Sequence, residues 1–478
     1  MTDLHEYLAS DATGIGALVN AGEVTAAELA ALARQAHDRV NPRLNGILEF
    51  YQDAEEIDGP AAGPFAGVPF LRKDIGATEK DRLQENGSRL FAGIRPTSDS
   101  YYMRRAKASG LRIVGRSATP ELGTAGFTES ILSGITRNPW NLDLTAGGSS
   151  GGSAVSVASG IVPIAHASDG GGSIRIPAAN CGVVGLNPSR GRISGGPARQ
   201  GSLFGLTREF VVCPTVRDMA LALDVFSGPR AGDPFIIAPP AGPYVEELGR
   251  ATATLNVGVA TTAWGDMEIE PEILALLQAV AGVVEGLGHN LEEMNAPFDL
   301  MDVKTAVTGG FHLGITSLDR AAEALGRPID ETTLEPVNLN VYRQSKDFPL
   351  SHAGTIFEAM RKVRADVGMA TEKFDVLLTP SMPRTAQPHG LYATTNENLS
   401  TDEFWKGDTG LYQFMGAFNV TGQQSISLPL GQSSDGLPIG IQIVAGFGHE
   451  AILIRLARDL EEAMPWIGRL PPVHTGHQ

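Results

Sequence analysis

Two serine-bearing glycine patches lie within thirty residues of each other, "GGSSGGS" at 147–153 and "GGGS" at 170–173. Neither is followed by Lys-Ser or Lys-Thr, and no GxGxxG opens a helix after a clear strand, so they do not form a phosphate cradle. Glycine and serine are also ordinary loop residues, but hydroxyls set this densely fit nucleophilic catalysis, where a neighbouring base must take the proton. Gly147–Gly151 matches the G-x-S-x-G elbow, which would make Ser149 the nucleophile of a Ser-His-Asp esterase. The lead-in "RNPWNLDLTA" is polar and turn-like, however, and His289, His312, His352, His389 and His449 sit in no catalytic-loop setting.

A lysine is the other available base. It acts only when neutral, so its pKa must fall from ~10.4 to near 7, roughly 4 kcal/mol of burial and neighbouring donors. Lys73, closing the apolar run "AGVPFLRKD", is the candidate. The plain alternative is a surface lysine that ends a strand and pairs with Asp74. Spacing alone does not choose between them.

The elements that must position these groups are legible as periodicity. "TAAELAALARQAHDRV" predicts a helix capped by Thr25 and ending before Asn41-Pro42. Further helices are expected over 215–228, with Thr215 and Asp218 as a capping-box variant, over 270–288, and over 449–464. Apolar runs at 111–118, 161–167, 254–261, 375–380, 425–430 and 438–445 read as buried strands, and "FAGVPFLRKD" as a strand edge. Strands apolar on both faces, alternating with helices, predict an α/β sheet covered on both sides. The stretch 393–408 reads as a polar loop and a candidate lid.

Composition narrows the partners. The chain has 478 residues, 42% hydrophobic and 19% charged, as in a soluble globular protein. A net charge of −17 argues against nucleic acid or an anionic membrane as main partner. Two cysteines, Cys181 and Cys213, supply neither a disulfide framework nor a zinc cluster. The acidic start has no signal-peptide pattern and no run reaches a membrane span, so a cytoplasmic protein is expected.

Taken together, "GVPFLRKD", "GGSSGGS", "DGGGSIRIPAANCGVVGLNPSRGRIS" and "FNVTGQQSISLPLGQSSDGLPIGIQIV" resemble the amidase signature family over nearly the whole chain. The resemblance implies a Ser-cisSer-Lys triad. Ser173 would be the nucleophile, Ser149 the bridging serine after a cis peptide bond, and Lys73 the base. The N–H groups of Gly170, Gly171, Gly172 and Ser173 would form an oxyanion hole. Asp169 and Arg175 would be scaffold, and neither metal nor cofactor would be required.

The implied fold is a single large α/β/α domain around a mixed, mostly parallel twisted sheet. It would comprise N-terminal helices (1–60), a catalytic core (61–230), a variable substrate-shaping region (231–410) and C-terminal core strands and helix (411–478). The implied activity is hydrolysis of amides, aryl acylamides or carbamates (urethanes), small or oligomeric, and family habit implies a homodimer. "FAGVPF", "TRNPWN" and "SSDGLPIGIQIVA" are most similar to the branch that contains a nylon-oligomer cyclic-dimer hydrolase. The cysteine used there for the cyclic substrate falls near Gly310 here. Gly170 stands where the family usually carries Thr or another side chain, which would widen the oxyanion loop. A substrate pocket is expected from Thr128, Glu129 and Ser130, from Phe204, and from Gly310 and Phe311. The family's glutaminase subunit of a tRNA-dependent amidotransferase is an alternative, but it has Gln where this chain has Ile176. A member serving only as a binding subunit is a further alternative, disfavoured because all three triad positions are intact.

Overall fold

The apolar runs become the inner strands of an eleven-stranded sheet in a computed structural model, which describes residues 3–60 and 62–477. The strands are β1 (Ile47–Phe50), β2 (Pro69–Lys73), β3 (Arg112–Ser117), β4 (Glu129–Ser130), β5 (Gly134–Ile135), β6 (Ile164–Asp169) and β7 (Val184–Asn187). They continue with β8 (Arg208–Cys213), β9 (Asn256–Val259), β10 (Asn290–Glu293), β11 (Val376–Pro380), β12 (Ser425–Gln432) and β13 (Pro438–Ala445). Across the large sheet the order is β1-β3-β2-β6-β8-β7-β12-β13-β11-β9-β10, while β4 and β5 form a separate small pair. Every residue of β2, β3, β6, β8, β11 and β13 is buried, which requires cover on both faces.

The sheet is mixed, as expected, but it is not mostly parallel. β2 runs parallel to β3 and β6, and β9 to β10 and β11; the other six pairings are antiparallel. Helix–strand alternation predicts parallel crossovers, and the short strand β7 and the unpredicted β8 break that rule in the middle. β12 and β13 break it again by folding as an antiparallel hairpin over "SSDGL", closed by Ser433 N–H donating to Leu437 O (2.8 Å).

Helix boundaries differ from the expected ones for local reasons. The first long helix, Ala26–Leu44, has the Thr25–Glu28 capping box but continues through Pro42. Its end is set instead by Asn45 in the left-handed region (φ 51) and by Asn41. The Asn41 side chain accepts from Gly46 and Ile47 N–H and donates to Ile47 O, steering the chain into β1. Thr215 caps the helix Val216–Phe226 by accepting from Asp218 N–H, yet the Asp218 carboxylate does not close a box. It binds Ala12 and Thr13 N–H and so ties down the helix Ala12–Asn20. The expected polar lid at 393–408 is partly helix. Ser400 and Glu403 form a capping box for Thr401–Leu411, which buries Phe404 and Trp405. Among the described residues no helix is long and apolar enough to cross a membrane.

Candidate active site

Parallel pairing of β2 with β6, Phe70 beside Ile164 and Leu71 beside Ala165, brings Lys73 and Ser168 out at the same end of the sheet. Lys73 is fully buried, and its Nζ donates to Ser149 Oγ (2.8 Å), Ser150 Oγ (2.8 Å) and Ser168 Oγ (3.0 Å). It makes no ion pair among the described residues. Burial pulls its pKa down to about 7, against the opposing pull of the Glu209 and Asp169 carboxylates. The surface pairing with Asp74 is not formed; Asp74 is held by Arg116 and by the N–H groups of Glu85 and Gly87.

The first serine patch runs into the helix Gly151–Ala158, and the Gly148–Ser149 peptide bond is cis. Hydroxyls fasten this helix to the sheet: Ser153 donates to His166 O (2.7 Å), and Ser150 to Ser168 O (3.2 Å). A Cβ at Gly152 would stand 2.3 Å from Ala118 N, so the close approach admits no side chain. The second patch is the turn after β6. Among the described residues, the N–H groups of Gly170, Gly171, Gly172 and Ser173 donate to no protein acceptor. Gly172 has φ +150, and a Cβ there would meet Met415 Sδ at 2.8 Å.

Beneath this turn Asp169 receives Arg175 through both oxygens (2.9 and 3.0 Å), together with Ile174 N–H and the Asn419 amide. Burial alone would raise the Asp169 carboxyl, but Arg175 together with the hydrogen bonds from Asn419 and Ile174 N–H outweighs it and holds the group at about 2. Asp169→Asn would leave a fully buried guanidinium uncompensated and is expected to destabilise the fold by ~3–5 kcal/mol, read as a lower denaturant midpoint. Because the folded pKa is depressed, this contribution is present above about pH 4 and is lost as pH falls toward 2.

Ser173 is half-buried and its hydroxyl makes no hydrogen bond among the described residues. With Ser149, Ser168 and Gly170 it lines a cavity of ≈ 520 Å³. Phe204 and Phe311 also line it, and Phe204 is 42% exposed on left-handed backbone (φ 57). The other expected pocket residues do not. Thr128 Oγ1 instead donates to Gly147 O and accepts from Gly151 N–H, bracing the first serine patch. Glu129 binds His389 and Gly390 N–H, and Ser130 donates to Gly87 O. Gly310 faces the packing of its helix, where a Cβ would lie 2.6 Å from Leu206 Cδ1. At Gly170 a Cβ would stand 3.2 Å from Thr207 Oγ1 and 3.8 Å from Phe311 Cζ, so the absent side chain is room between cavity walls.

Sequence reasoning missed Ser150 and Ser168, which share Lys73, and the pair His166–Glu209. His166 Nδ1 lies 3.2 Å from the Lys73 backbone N–H and must accept from it, which puts the ring proton on Nε2, 2.6 Å from Glu209 Oε2. Polar residues inside the apolar runs "PIAHA" and "EFVVC" were the available signal. No histidine lines the cavity among the described residues.

The amidase family model matches residues 28–454. The chain belongs to the amidase signature family. It is 36% identical, over 96% of each chain, to a 6-aminohexanoate-cyclic-dimer hydrolase from Paenarthrobacter ureafaciens. It is also 32% identical, over 95% of each chain, to a putative amidase AmiC from Mycobacterium tuberculosis strain H37Rv. A solved 6-aminohexanoate cyclic dimer hydrolase with its substrate superimposes with a TM-score of 0.91 at 34% identity, covering 98% of this chain and 99% of that one. A bacterial aryl acylamidase of the family gives 0.87 at 25% identity, with coverage of 98% and 99%. This amidase is accordingly a hydrolase of carbon–nitrogen bonds in amides other than peptide bonds.

Proposed function

We propose that this amidase works through an acyl-enzyme on Ser173, with Lys73 as base and Ser149 as the relay between them. The observation that carries this reading is a fully buried lysine whose partners are hydroxyls alone, one of them Ser149, which shares a cavity with Ser173. With a pKa of about 7 the amine is substantially neutral at physiological pH and able to accept a proton.

In this mechanism Ser149 passes its proton to Lys73 and takes that of Ser173 as the Ser173 oxygen attacks the acyl carbon. The carbonyl oxygen gains negative charge, and the unpaired N–H groups of 170–173 are the donors that would receive it, each worth ~2.7–4 kcal/mol in the transition state. The C–N bond then breaks, and the leaving nitrogen takes the proton from Lys73 through Ser149. Water repeats the sequence on the ester and frees Ser173. Ser149 and Ser173 are not hydrogen-bonded without substrate, and such contacts commonly tighten only in the Michaelis complex.

The substrate class we assign is small or oligomeric amides, aryl acylamides and carbamates. In support, the relatives bear the names cyclic-dimer hydrolase and aryl acylamidase, and the cavity walls are largely apolar.

A fluorophosphonate probe with peptide mapping tests the mechanism. Labelling on Ser173 that drops sharply in Lys73→Ala is expected. Labelling on Ser149 that is indifferent to Lys73→Ala would sink the reading.

A further inference from the structure

The cavity has two charged side chains in its wall, Arg199 and Glu209, and they are not equivalent. Glu209 is committed to His166 at 2.6 Å. Arg199 has no hydrogen bond or ion pair from its guanidinium among the described residues. Yet its loop is pinned on both sides: Ser194 Oγ (2.7 Å) and Gln200 Nε2 (3.1 Å) both donate to Asp233 Oδ1. Asp233 Oδ2 accepts from Arg230 N–H, so this nearby carboxylate is used to fix the loop and not to neutralise Arg199.

A guanidinium carries five N–H donors in a planar fork that matches a carboxylate, and one in a cavity wall with no hydrogen bond to the protein is poorly satisfied. Burial lowers its pKa while the Glu209 charge opposes that, so the group faces the cavity as a cation partly stripped of water. Around it the walls are apolar, with Leu203, Phe204, Phe311 and Leu318.

We propose that Arg199 is a specificity-determining anion anchor, and that this cavity prefers amides whose apolar chain ends in a carboxylate. The inference rests on the hydrolytic reading above, because it places the anchor in the same cavity as Ser173. A ligand carboxylate would take two N–H donors of Arg199 in parallel while the chain lies on the apolar wall. Neutral amides of the same length would bind without that contact.

The test separates binding from turnover. Calorimetry on Ser173→Ala protein would compare N-acetyl-6-aminohexanoate with its methyl ester, which lacks the terminal charge. The acid is expected to bind about tenfold or more tightly, the scale of a hydrogen-bonded charge. In the additional Arg199→Met background that ratio should fall to about one, and Arg199→Lys should restore part of it. Equal binding of acid and ester, or a preference that survives Arg199→Met, overturns the anchor. Hydrolysis of neutral 4-nitroanilides by the wild-type protein is read separately. Its absence would count against the hydrolytic mechanism, whereas its presence with no acid preference would count against Arg199 alone.

Discussion

Lys73→Met is expected to lower kcat/KM by about 10³–10⁴-fold while making the folded protein more stable. The amine is the only base in reach of Ser149 in this reading, and methionine fills a similar volume without a basic nitrogen. Stability moves the other way because the fully buried lysine has its pKa depressed from the ordinary range to about 7. Between about pH 7 and pH 10 the unfolded chain binds the proton that the folded chain has released, so stability rises with pH over that window. Below pH 7 the penalty is complete, on the order of 4 kcal/mol, partly offset by the three hydroxyls, each worth ~1 kcal/mol. Urea denaturation should therefore show Lys73→Met gaining ~1–3 kcal/mol at pH 6, with the gain shrinking toward pH 10. A gain that ignores pH would mean the lysine does not titrate in this range. In the proposed mechanism the same titration sets wild-type activity, because the neutral amine is the base: kcat/KM should fall as pH drops below about 7.

Much of this site is legible without the fold, and the reasons differ residue by residue. Ser149, Ser173 and the glycines around them stand out because their spacing serves backbone geometry, and Gly152 and Gly172 do sit where no side chain fits. Lys73 is ambiguous in sequence because burial depends on which strands flank β2, and only the pairing with β3 and β6 settles it. Thr128, Glu129 and Ser130 are expected in the pocket but do not line the cavity: Thr128 braces the first serine patch, while Glu129 and Ser130 are taken up by Gly390 N–H and Gly87 O. Arg199 escapes a sequence reading because nothing local distinguishes a charge in a cavity wall from one on a surface. The antiparallel majority of the sheet is hidden for a similar reason, since strand direction depends on long-range connections that periodicity does not record.

Ser173→Ala and Ser149→Ala should separate nucleophile from relay. In the proposed mechanism Ser173→Ala removes the atom that bonds to substrate, and kcat is expected to fall by about 10⁴-fold or more, with no burst of released amine. Ser149→Ala leaves that atom in place beside the free N–H groups but cuts the hydroxyl between it and Lys73. A water molecule in the vacated space can carry the proton less well, so a loss of about 10²–10³-fold is expected, with fluorophosphonate still reaching Ser173 slowly. The asymmetry follows from position: Ser149 is bonded to the base, 2.8 Å from Lys73 Nζ, whereas Ser173 belongs to the turn whose N–H groups are unpaired. The opposite order, with Ser149→Ala inert and Ser173→Ala still able to form an acyl-enzyme, would move the nucleophile to the first patch. The Gly147–Gly151 elbow would then need a base other than a histidine, because no imidazole lines the cavity among the described residues.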